Sequence, residues 1–578
     1  MVRTLTIACL SFTWACSAQL ATRSADAPAL GRAETPEAAG PKAARPEPTV
    51  FVELKPEPKE GRLRALVVLR AAEREGWSIA DGRSVQISDV TGRDRAGALV
   101  ITQRMGENGS VIFTADREPA PPVELRYIVT GKPDASSGAD VCRFVVEPDR
   151  ASFCGEQVLA LASRVEAEPT RIRLVADGTF LADAASSFGL RDDLETVASP
   201  AELRSGMFVF GNLTTAEMRV PEGRDHAAAL GYVSFDPRWV AAETAGFRTS
   251  VDRWLGIARP ENDPAAGLVI LAGAHPERPI SIRRRARGLA LSADVSAGFT
   301  AGARLRIAQL FAQRTIGGAL WMGARTGEDE TRGLWFSEGV SRAVALITLH
   351  ELGAIDDDEL AADINGFLAE MAVSGSDALT LDELASRARS HDAGIRDGAI
   401  RALTARGTLA AIDLGAADLR KVLKTVVQDA SATRSGELSR DAFFATVRTV
   451  AGDTKAARLE RSIDRGKVAL DRTALGPCYE LRDRSVAPFE LGFTLVGAGR
   501  DLGIQKVVSG SAAARAGARD GDEVVSIDYR PDRSDVAVAM TILRDGKEKK
   551  VVFMPAGPSK PGRAFLPAKN APRTCERS

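Results

Sequence analysis

Short apolar runs separated by turn residues make up the first part of the chain. They are rich in Val, Leu, Ile, Phe and Tyr, and Gly, Asp and Pro lie between them. This spacing is typical of short β-strands and predicts an all-β sandwich over residues 49–165. The runs include Phe51–Leu54, Leu66–Leu69, Leu99–Thr102, Val111–Phe113 and Val123–Val129.

The pattern changes twice further along. Residues 166–300 mix strand-like runs, such as Met207–Phe210 and Gly267–Leu271, with a helical stretch near Trp239–Gly256. From about residue 300 to 475, apolar residues recur three and four apart, which predicts amphipathic helices. Strand-like runs return after Cys478. The chain is therefore predicted to be a multidomain α+β protein.

The N-terminus predicts export. Arg3 precedes a mostly apolar run, Leu5–Trp14, which is far shorter than the roughly 20 residues that span a bilayer. Two processing outcomes stay open. Small residues after Cys16 fit a cleavage site near residue 18, whereas Thr13–Cys16 loosely resembles a lipobox in which Cys16 would be lipidated. Residues 19–48 are rich in Ala, Pro and Glu and predict a disordered linker.

Charge and cysteine content add further limits. The chain has 76 Lys and Arg against 77 Asp and Glu, so we expect no nucleic-acid partner and no membrane contact except through a lipid anchor. In an exported protein, the remaining cysteines predict the disulfides Cys142–Cys154 and Cys478–Cys575, with free buried thiols as the alternative. The chain contains no Cys-x-x-Cys spacing, so we do not expect a metal site built from cysteines.

Near the C-terminus, Val507–Asp528 contains a Gly-Ser turn, a short Ala-rich helix and Asp-Gly-Asp before a strand. This run resembles the middle of a bacterial PDZ domain, and we assign residues 476–556 to such a domain and 557–578 to a tail. Residues Glu490, Leu491, Gly492 and Phe493 resemble the loop whose amides bind a peptide carboxylate. Because residues 529–535 are too few for the usual groove helix, peptide capture and a purely structural role both stay open.

Leu334–Val340 contains Trp-x-x-Glu-Gly. It resembles the corresponding segment of the glycyl aminopeptidase family of metallopeptidases (family 61), which have a thermolysin-like core. That family also joins an N-terminal β-domain, the core and a C-terminal PDZ domain, an order that this chain matches over about residues 49–556. The resemblance implies a thermolysin-like α/β plus helical core over residues 166–475. It also implies that Glu338 occupies the place of the third zinc ligand.

The other zinc ligands of such peptidases come from His-Glu-x-x-His, because histidines four apart share one helix face. Aligned with that motif, this chain has Ala308 and Ala312 at the histidine positions and Gln309 at the position of the catalytic Glu. No two of the four histidines are four residues apart. We therefore expect no catalytic residues at these positions and no zinc, although active relatives bind it.

Three hypotheses follow. The first is an exported, non-catalytic pseudo-metallopeptidase that binds a protein or peptide through the PDZ domain or the old cleft. The second is a zinc metallopeptidase with an unconventional site that combines His350 or His391 with Glu338. The third is a structural lipoprotein. All three place the chain in the periplasm or on the outer membrane of a Gram-negative bacterium.

Overall fold

The computed structural model describes residues 48–571, apart from 71–75, 133–140, 163–165, 177–180, 221–222, 258–266, 274–279, 295–297, 326, 434–435, 467, 469, 497–501, 530–532 and 570. The predicted signal peptide, most of the linker and the lipidation candidate Cys16 lie outside the described residues. In the part of the chain that the structure describes, we find no helix that combines the length and the apolar character needed to cross a membrane.

In its described residues, the N-terminal part consists of β-strands with two short α-helices and a 3-10 turn at Pro58–Glu60 between the first two strands. In chain order they are β1 Val50–Glu57, β2 Arg62–Leu69, β3 Trp77–Ile79, β4 Val85–Asp94, β5 Gly97–Leu99, β6 Ile101–Met105, β7 Val111–Ala115, β8 Val123–Gly131, β9 Val145–Glu147, β10 Arg150–Cys154, α1 Gly155–Val158, β11 Glu168–Leu174, β12 Asp183–Ser186, β13 Asp193–Ala198, α2 Pro200–Ser205 and β14 Met207–Gly211.

These strands form a seven-stranded sheet in the order β13-β11-β1-β2-β8-β4-β5 and two smaller sheets, β12-β14-β10-β9 and β3-β7-β6. Residues from all three sheets share one hydrophobic core. The β-layers continue beyond the predicted boundary at residue 165, because β11 pairs in parallel with β1 and β14 pairs with β10. Alternating burial along β11 places Ile172 and Leu174 in this core.

A predicted disulfide closes the β9–β10 region. Cys142 and Cys154 are bonded, with their Cα atoms 5.4 Å apart, and this pairing is confirmed. Cys478 is also disulfide-bonded. Its predicted partner, Cys575, lies outside the described residues.

A mixed five-stranded sheet follows, with the elements β15 Leu213–Val220, β16 Gly223–Leu230, α3 Pro237–Leu255, β17 Gly267–Ala272, β18 Ile280–Arg285 and β19 Gly288–Ala293. Its order is β15-β16-β17-β19-β18, with parallel pairing at β16–β17 and β17–β19. Helix α3 begins at the cap Asp236, whose carboxylate accepts from the Arg238 amide, and ends at Gly256 in the left-handed region.

The helical half predicted after residue 300 is confirmed. It contains α4 Ala301–Thr315, β20 Trp321–Met322, α5 Gly327–Arg332, a π-helical segment Trp335–Val340 (the π segment), α6 Ser341–Glu351, α7 Asp357–Ser374, α8 Leu381–Arg387, α9 Ala393–Leu414, α10 Ala416–Thr433, β21 Glu437–Leu438, α11 Arg440–Ala451 and α12 Asp453–Arg465. These helices share one core with the five-stranded sheet. The sheet and the helices are therefore packed as one unit.

The C-terminal part returns to strands, with β22 Tyr479–Val486, β23 Thr494–Val496, β24 Gly503–Gln505, α13 Ala512–Ala516, β25 Glu523–Asp528, β26 Val538–Arg544, β27 Lys547–Phe553 and β28 Lys560–Pro567. Strands β23 to β27 form one sheet in sequence order around a small core of their own. We call residues 487–556 the C-terminal module.

The predicted tail differs from the structure. Residues 560–567 form β28, which pairs antiparallel with β22. The Asn365 side chain on α7 donates to the Phe565 carbonyl at 2.9 Å and accepts from the Phe565 amide at 2.7 Å. Hydrogen bonds on both edges of β28 therefore hold residues that the sequence assigned to a tail.

Candidate functional site

Glu338 lies in the π segment, between α5 and α6. The side chains of Trp335 and Phe336 in this segment are fully buried, and both rings meet Phe443 edge-on with centroids 5.6 Å apart. A π-helical turn holds one residue more than an α-helical turn, and such turns are frequent at functional sites. The aromatic cluster therefore holds the backbone that presents Glu338.

Helix α9 packs against the π segment at unusually short distance. A Cβ atom on Gly407 would lie 1.8 Å from the Trp335 carbonyl oxygen, and one on Gly339 would lie 2.6 Å from the Gly407 Cα atom. The Thr408 hydroxyl donates to the Gly339 carbonyl at 3.1 Å. Only glycine permits this approach, because any side chain would push the two segments apart.

We expect Gly407→Ala to lower the free energy of unfolding by about 1–3 kcal/mol through overpacking. The matched control is Gly398→Ala on the same helix, where the nearest atom to an added Cβ is the end of the Arg401 side chain at 3.9 Å. That change should leave stability equal or higher by up to about 1 kcal/mol. Chemical denaturation followed by circular dichroism compares the two. Equal stability of both variants would contradict the close approach.

Helix α4 lies opposite the π segment and carries the residues aligned with the zinc motif. Ala308, Gln309 and Ala312 are all buried. The Gln309 Nε2 atom donates to the Glu338 carboxylate and to the Glu338 carbonyl, both at 3.3 Å. The structure therefore brings Gln309 and Glu338 together, with two neighbouring alanines that offer no ligand atom.

Two arginines complete this cluster. The Gln309 Oε1 atom accepts from Arg306 Nη1 at 3.2 Å and from Arg342 Nη1 at 3.5 Å. Burial lowers the pKa of Arg306, and the charge of Glu338 opposes that shift. The Gln309 amide is thus oriented from both ends, with guanidinium groups on its oxygen and a carboxylate on its nitrogen.

The cluster opens into a cleft of about 490 Å³, which we call the Glu338 cleft. Arg284 donates from Nη1 to the Gln313 carbonyl at 3.2 Å. The Arg325 guanidinium lies 3.7 Å from the centre of the Trp321 ring and donates to the Gly318 carbonyl. The lining of the Glu338 cleft combines charged and polar side chains with an apolar part: Arg284, Arg306, Gln313, Trp321, Arg325, Glu330, Ser337 and Glu338, with Leu310, Ile316, Met322 and Leu334.

The histidines proposed for an unconventional zinc site lie elsewhere. His350 is at the end of α6, twelve residues after Glu338 and so about 18 Å further along a helix, and its Nε2 atom lies 2.6 Å from Asp357 Oδ1. His391 is exposed before α9. Neither shares a ligand cluster with Glu338 in the described part of the chain.

The donor atoms around Glu338 do not fit zinc. A structural or catalytic zinc ion needs three or four Cys, His or carboxylate ligands. Among the described residues, the one group of three such side chains within 4.8 Å is Cys142, Cys154 and Glu156, and its two sulfurs form the disulfide. In the Glu338 cleft, an amide and guanidinium groups are the neighbours of the Glu338 carboxylate.

The loop predicted to bind a peptide carboxylate precedes β23. Gly492 has a φ of +77°, and its carbonyl accepts from the Val508 amide at 2.8 Å. Phe493 is buried, with its ring edge-on to Phe553. Within the described residues, the amides of Leu491, Gly492 and Phe493 have no hydrogen-bond acceptor.

Sequence reasoning missed the arginines. Arg342 reaches Gln309 from α6, whereas Arg306 is three residues before Gln309 on α4, so helical spacing alone places Arg306 beside that side chain. That signal was available in the sequence. Arg284 and Arg325 come from a strand and a loop, and no local pattern connects them to α4.

The chain resembles known proteins in structure and not in sequence. No family model matches the chain, and no curated protein matches it in sequence. An aminopeptidase N family protein from Idiomarina loihiensis matches with a TM-score of 0.61 and 13% identity, covering 90% of this chain and 98% of its own. An M1 zinc metallopeptidase from Deinococcus radiodurans has a TM-score of 0.45 and 18% identity, covering 73% and 94%.

These comparisons contradict the first hypothesis. A non-catalytic binding or scaffolding protein is wrong as the main interpretation, because the chain shares the fold of an aminopeptidase N family protein. The missing histidines exclude one arrangement of metal ligands. They do not decide whether the cleft acts on peptides. The chain therefore has a metallopeptidase-like multidomain fold, similar to that of the aminopeptidase N family protein.

Proposed function

We propose that the chain is an exported peptidase that holds its substrate in the Glu338 cleft. The observation that carries this proposal is the carboxylate of Glu338, oriented by Gln309 and flanked by Arg306, at the edge of an open cleft. The fold of the aminopeptidase N family protein supports peptides as the substrate class. Peptides with a free N-terminus are therefore the first substrates to test.

The residues present can supply two of the functions that peptide hydrolysis needs. Glu338 can take a proton from a water molecule whose oxygen attacks the peptide carbonyl carbon, and can then deliver that proton to the departing amine. The guanidinium group of Arg306, which lines the cleft, can stabilise the negative charge on the carbonyl oxygen. The added water provides the hydroxyl of the new carboxylate and a proton for the new amine. In active relatives a zinc ion would polarise the carbonyl, but the donor set at Glu338 does not fit zinc.

We expect Glu338→Gln to lower kcat/KM for peptide hydrolysis at least about 100-fold, because the amide cannot accept the proton from water. Gln keeps the size of the side chain, so the fold should be unchanged. The matched control is Glu460→Gln on α12, which removes a surface carboxylate 3.3 Å from Arg448 and should leave activity within about twofold.

The measurement uses the purified full chain and a panel of free and N-terminally blocked peptides, with product amines detected by mass spectrometry. Absence of hydrolysis across the panel would overturn the proposed function. Stoichiometric zinc in the wild-type protein, lost in Glu338→Ala, would replace the metal-free chemistry with a metal site while keeping the peptidase.

The C-terminal module is proposed to be a PDZ domain. Its single sheet around a small core, the left-handed Gly492 and, within the described residues, the unpaired amides of Leu491, Gly492 and Phe493 support this assignment. No helix connects β25 to β26 in the residues described there, so this module would have a groove with one wall missing. A peptide would then be held by the loop and by edge strand β23.

A further inference from the structure

We infer that the Glu338 cleft recognises a carboxylate group of its peptide, supplied either by the C-terminus or by an acidic side chain. This inference rests on the proposed function, which supplies a peptide as the ligand. The charges of the cleft then indicate which chemical group of that peptide is bound. It adds a substrate preference that the fold does not imply.

The first observation is the state of the arginines that line the cleft. Arg306 donates to the Gln309 side-chain oxygen, Arg284 to the Gln313 carbonyl, and Arg325 to the Gly318 carbonyl. All of these acceptors are neutral. In the described part of the chain, none of the three arginines has a carboxylate within 4.0 Å in an ion pair. Their charges are therefore available to a ligand.

The second observation is the balance of charge in the lining. Against the guanidinium groups of Arg284, Arg306 and Arg325 stand only the carboxylates of Glu330 and Glu338. The Glu338 carboxylate already accepts from Gln309, and Glu330 is exposed at the mouth of the cleft. The lining is thus positive by one formal charge, and an anionic ligand would neutralise it.

The third observation is a donor without an acceptor. Gln313 lies on α4 one turn after Gln309 and lines the cleft, and its Nε2 atom is buried with no hydrogen-bond partner in the described residues. A buried donor without an acceptor lowers the stability of the folded protein, and a ligand oxygen that accepts from this donor would remove that cost. Guanidinium and amide donors together match the two oxygens of a carboxylate.

The inference is tested by measuring the affinity of fluorescent tetrapeptides for the full chain by stopped-flow anisotropy, before turnover. The probes are tetra-alanine as free acid, tetra-alanine amide, and Ala-Ala-Asp-Ala amide. We expect at least one carboxylate-bearing peptide to bind about 10-fold more tightly than tetra-alanine amide. Preference for the free acid identifies the C-terminus as the source, and preference for the Asp peptide identifies an acidic side chain.

Variants then locate the site. Arg306→Gln and the exposed Arg284→Gln should each weaken binding of the preferred peptide about 10-fold, and Arg284→Gln should leave the binding of tetra-alanine amide unaffected. The second variant keeps the test valid if the half-buried Arg306 cannot be replaced without unfolding. Arg396→Gln, an exposed residue outside the cleft lining, removes the same charge and should change nothing.

The possible outcomes separate the inference from the proposed function. Equal affinity for acid and amide peptides, with turnover, overturns the inference and leaves the peptidase. Carboxylate preference that is lost in Arg284→Gln, without turnover, supports the inference and overturns the peptidase. A preference unchanged in both variants would belong to the C-terminal module and overturns the inference.

Discussion

Replacement of Arg248 by methionine is expected to lower the free energy of unfolding by about 3–5 kcal/mol. Arg248 lies on α3 and is 3% exposed. Its Nε atom is 2.8 Å from the Asp225 carboxylate and its Nη1 atom is 3.4 Å from the Asp252 carboxylate. Both carboxylates are buried. Without the guanidinium, two negative charges would remain in the interior beneath the helix that packs on α4.

Urea denaturation followed by circular dichroism measures this loss. Arg253→Met on the same helix is the matched control, because Arg253 is exposed, and its effect should stay within about 0.5 kcal/mol. A triple change of Arg248→Met with Asp225→Asn and Asp252→Asn should recover part of the stability, since the two buried negative charges are then removed together with the guanidinium. Equal loss in Arg248→Met and Arg253→Met would refute the role assigned to the buried charges.

Arg406→Met is expected to lower the free energy of unfolding by about 3–5 kcal/mol, because each orphaned acceptor costs about 1–3 kcal/mol. Arg406 is fully buried on α9. It donates to the carbonyls of Ser376 and Leu379 between α7 and α8, and to the Ile463 carbonyl on α12 at 3.1 Å. Burial lowers the pKa of Arg406 to about 10, so the side chain stays protonated at neutral pH.

The control for this prediction is Arg401→Met, one and a half turns earlier on α9. Arg401 is largely exposed and lies 3.5 Å from Glu370, so its loss should cost no more than about 1 kcal/mol. Because Arg406 precedes Gly407, its removal should also raise hydrogen exchange in the π segment. Stability loss without increased exchange at Trp335–Val340 would show that Arg406 supports the helical half without supporting the site.

Much of the local structure could be predicted from the sequence. Alternating apolar residues indicated the N-terminal strands, and three- and four-residue spacing indicated the helices after residue 300. The Cys142–Cys154 pair was predictable because the two residues flank one strand-turn-strand segment. The meeting of Gln309 and Glu338 was predictable because the Trp-x-x-Glu-Gly segment resembles a known motif.

Other features depended on contacts between distant segments. Strand β11 joins the first sheet through parallel pairing with β1, more than a hundred residues away, and composition cannot indicate that partner. The same is true of β28, which pairs with β22 and bonds to Asn365. The prediction of a non-catalytic protein was wrong because it was drawn from the missing zinc motif. It did not include the other side chains that packing brings to the cleft.

Two kinds of information can be separated in this protein. Local residue patterns specified the strands and helices, the disulfide between neighbouring cysteines and the absence of His-Glu-x-x-His, since each depends on residues close in the chain. Packing alone gathered Arg284, Arg306 and Arg325 around Glu338, from a strand, a helix and a loop. Charges and unpaired donors act together on a ligand only when their side chains line the same cleft. The chemistry of this cleft therefore depends on the tertiary structure.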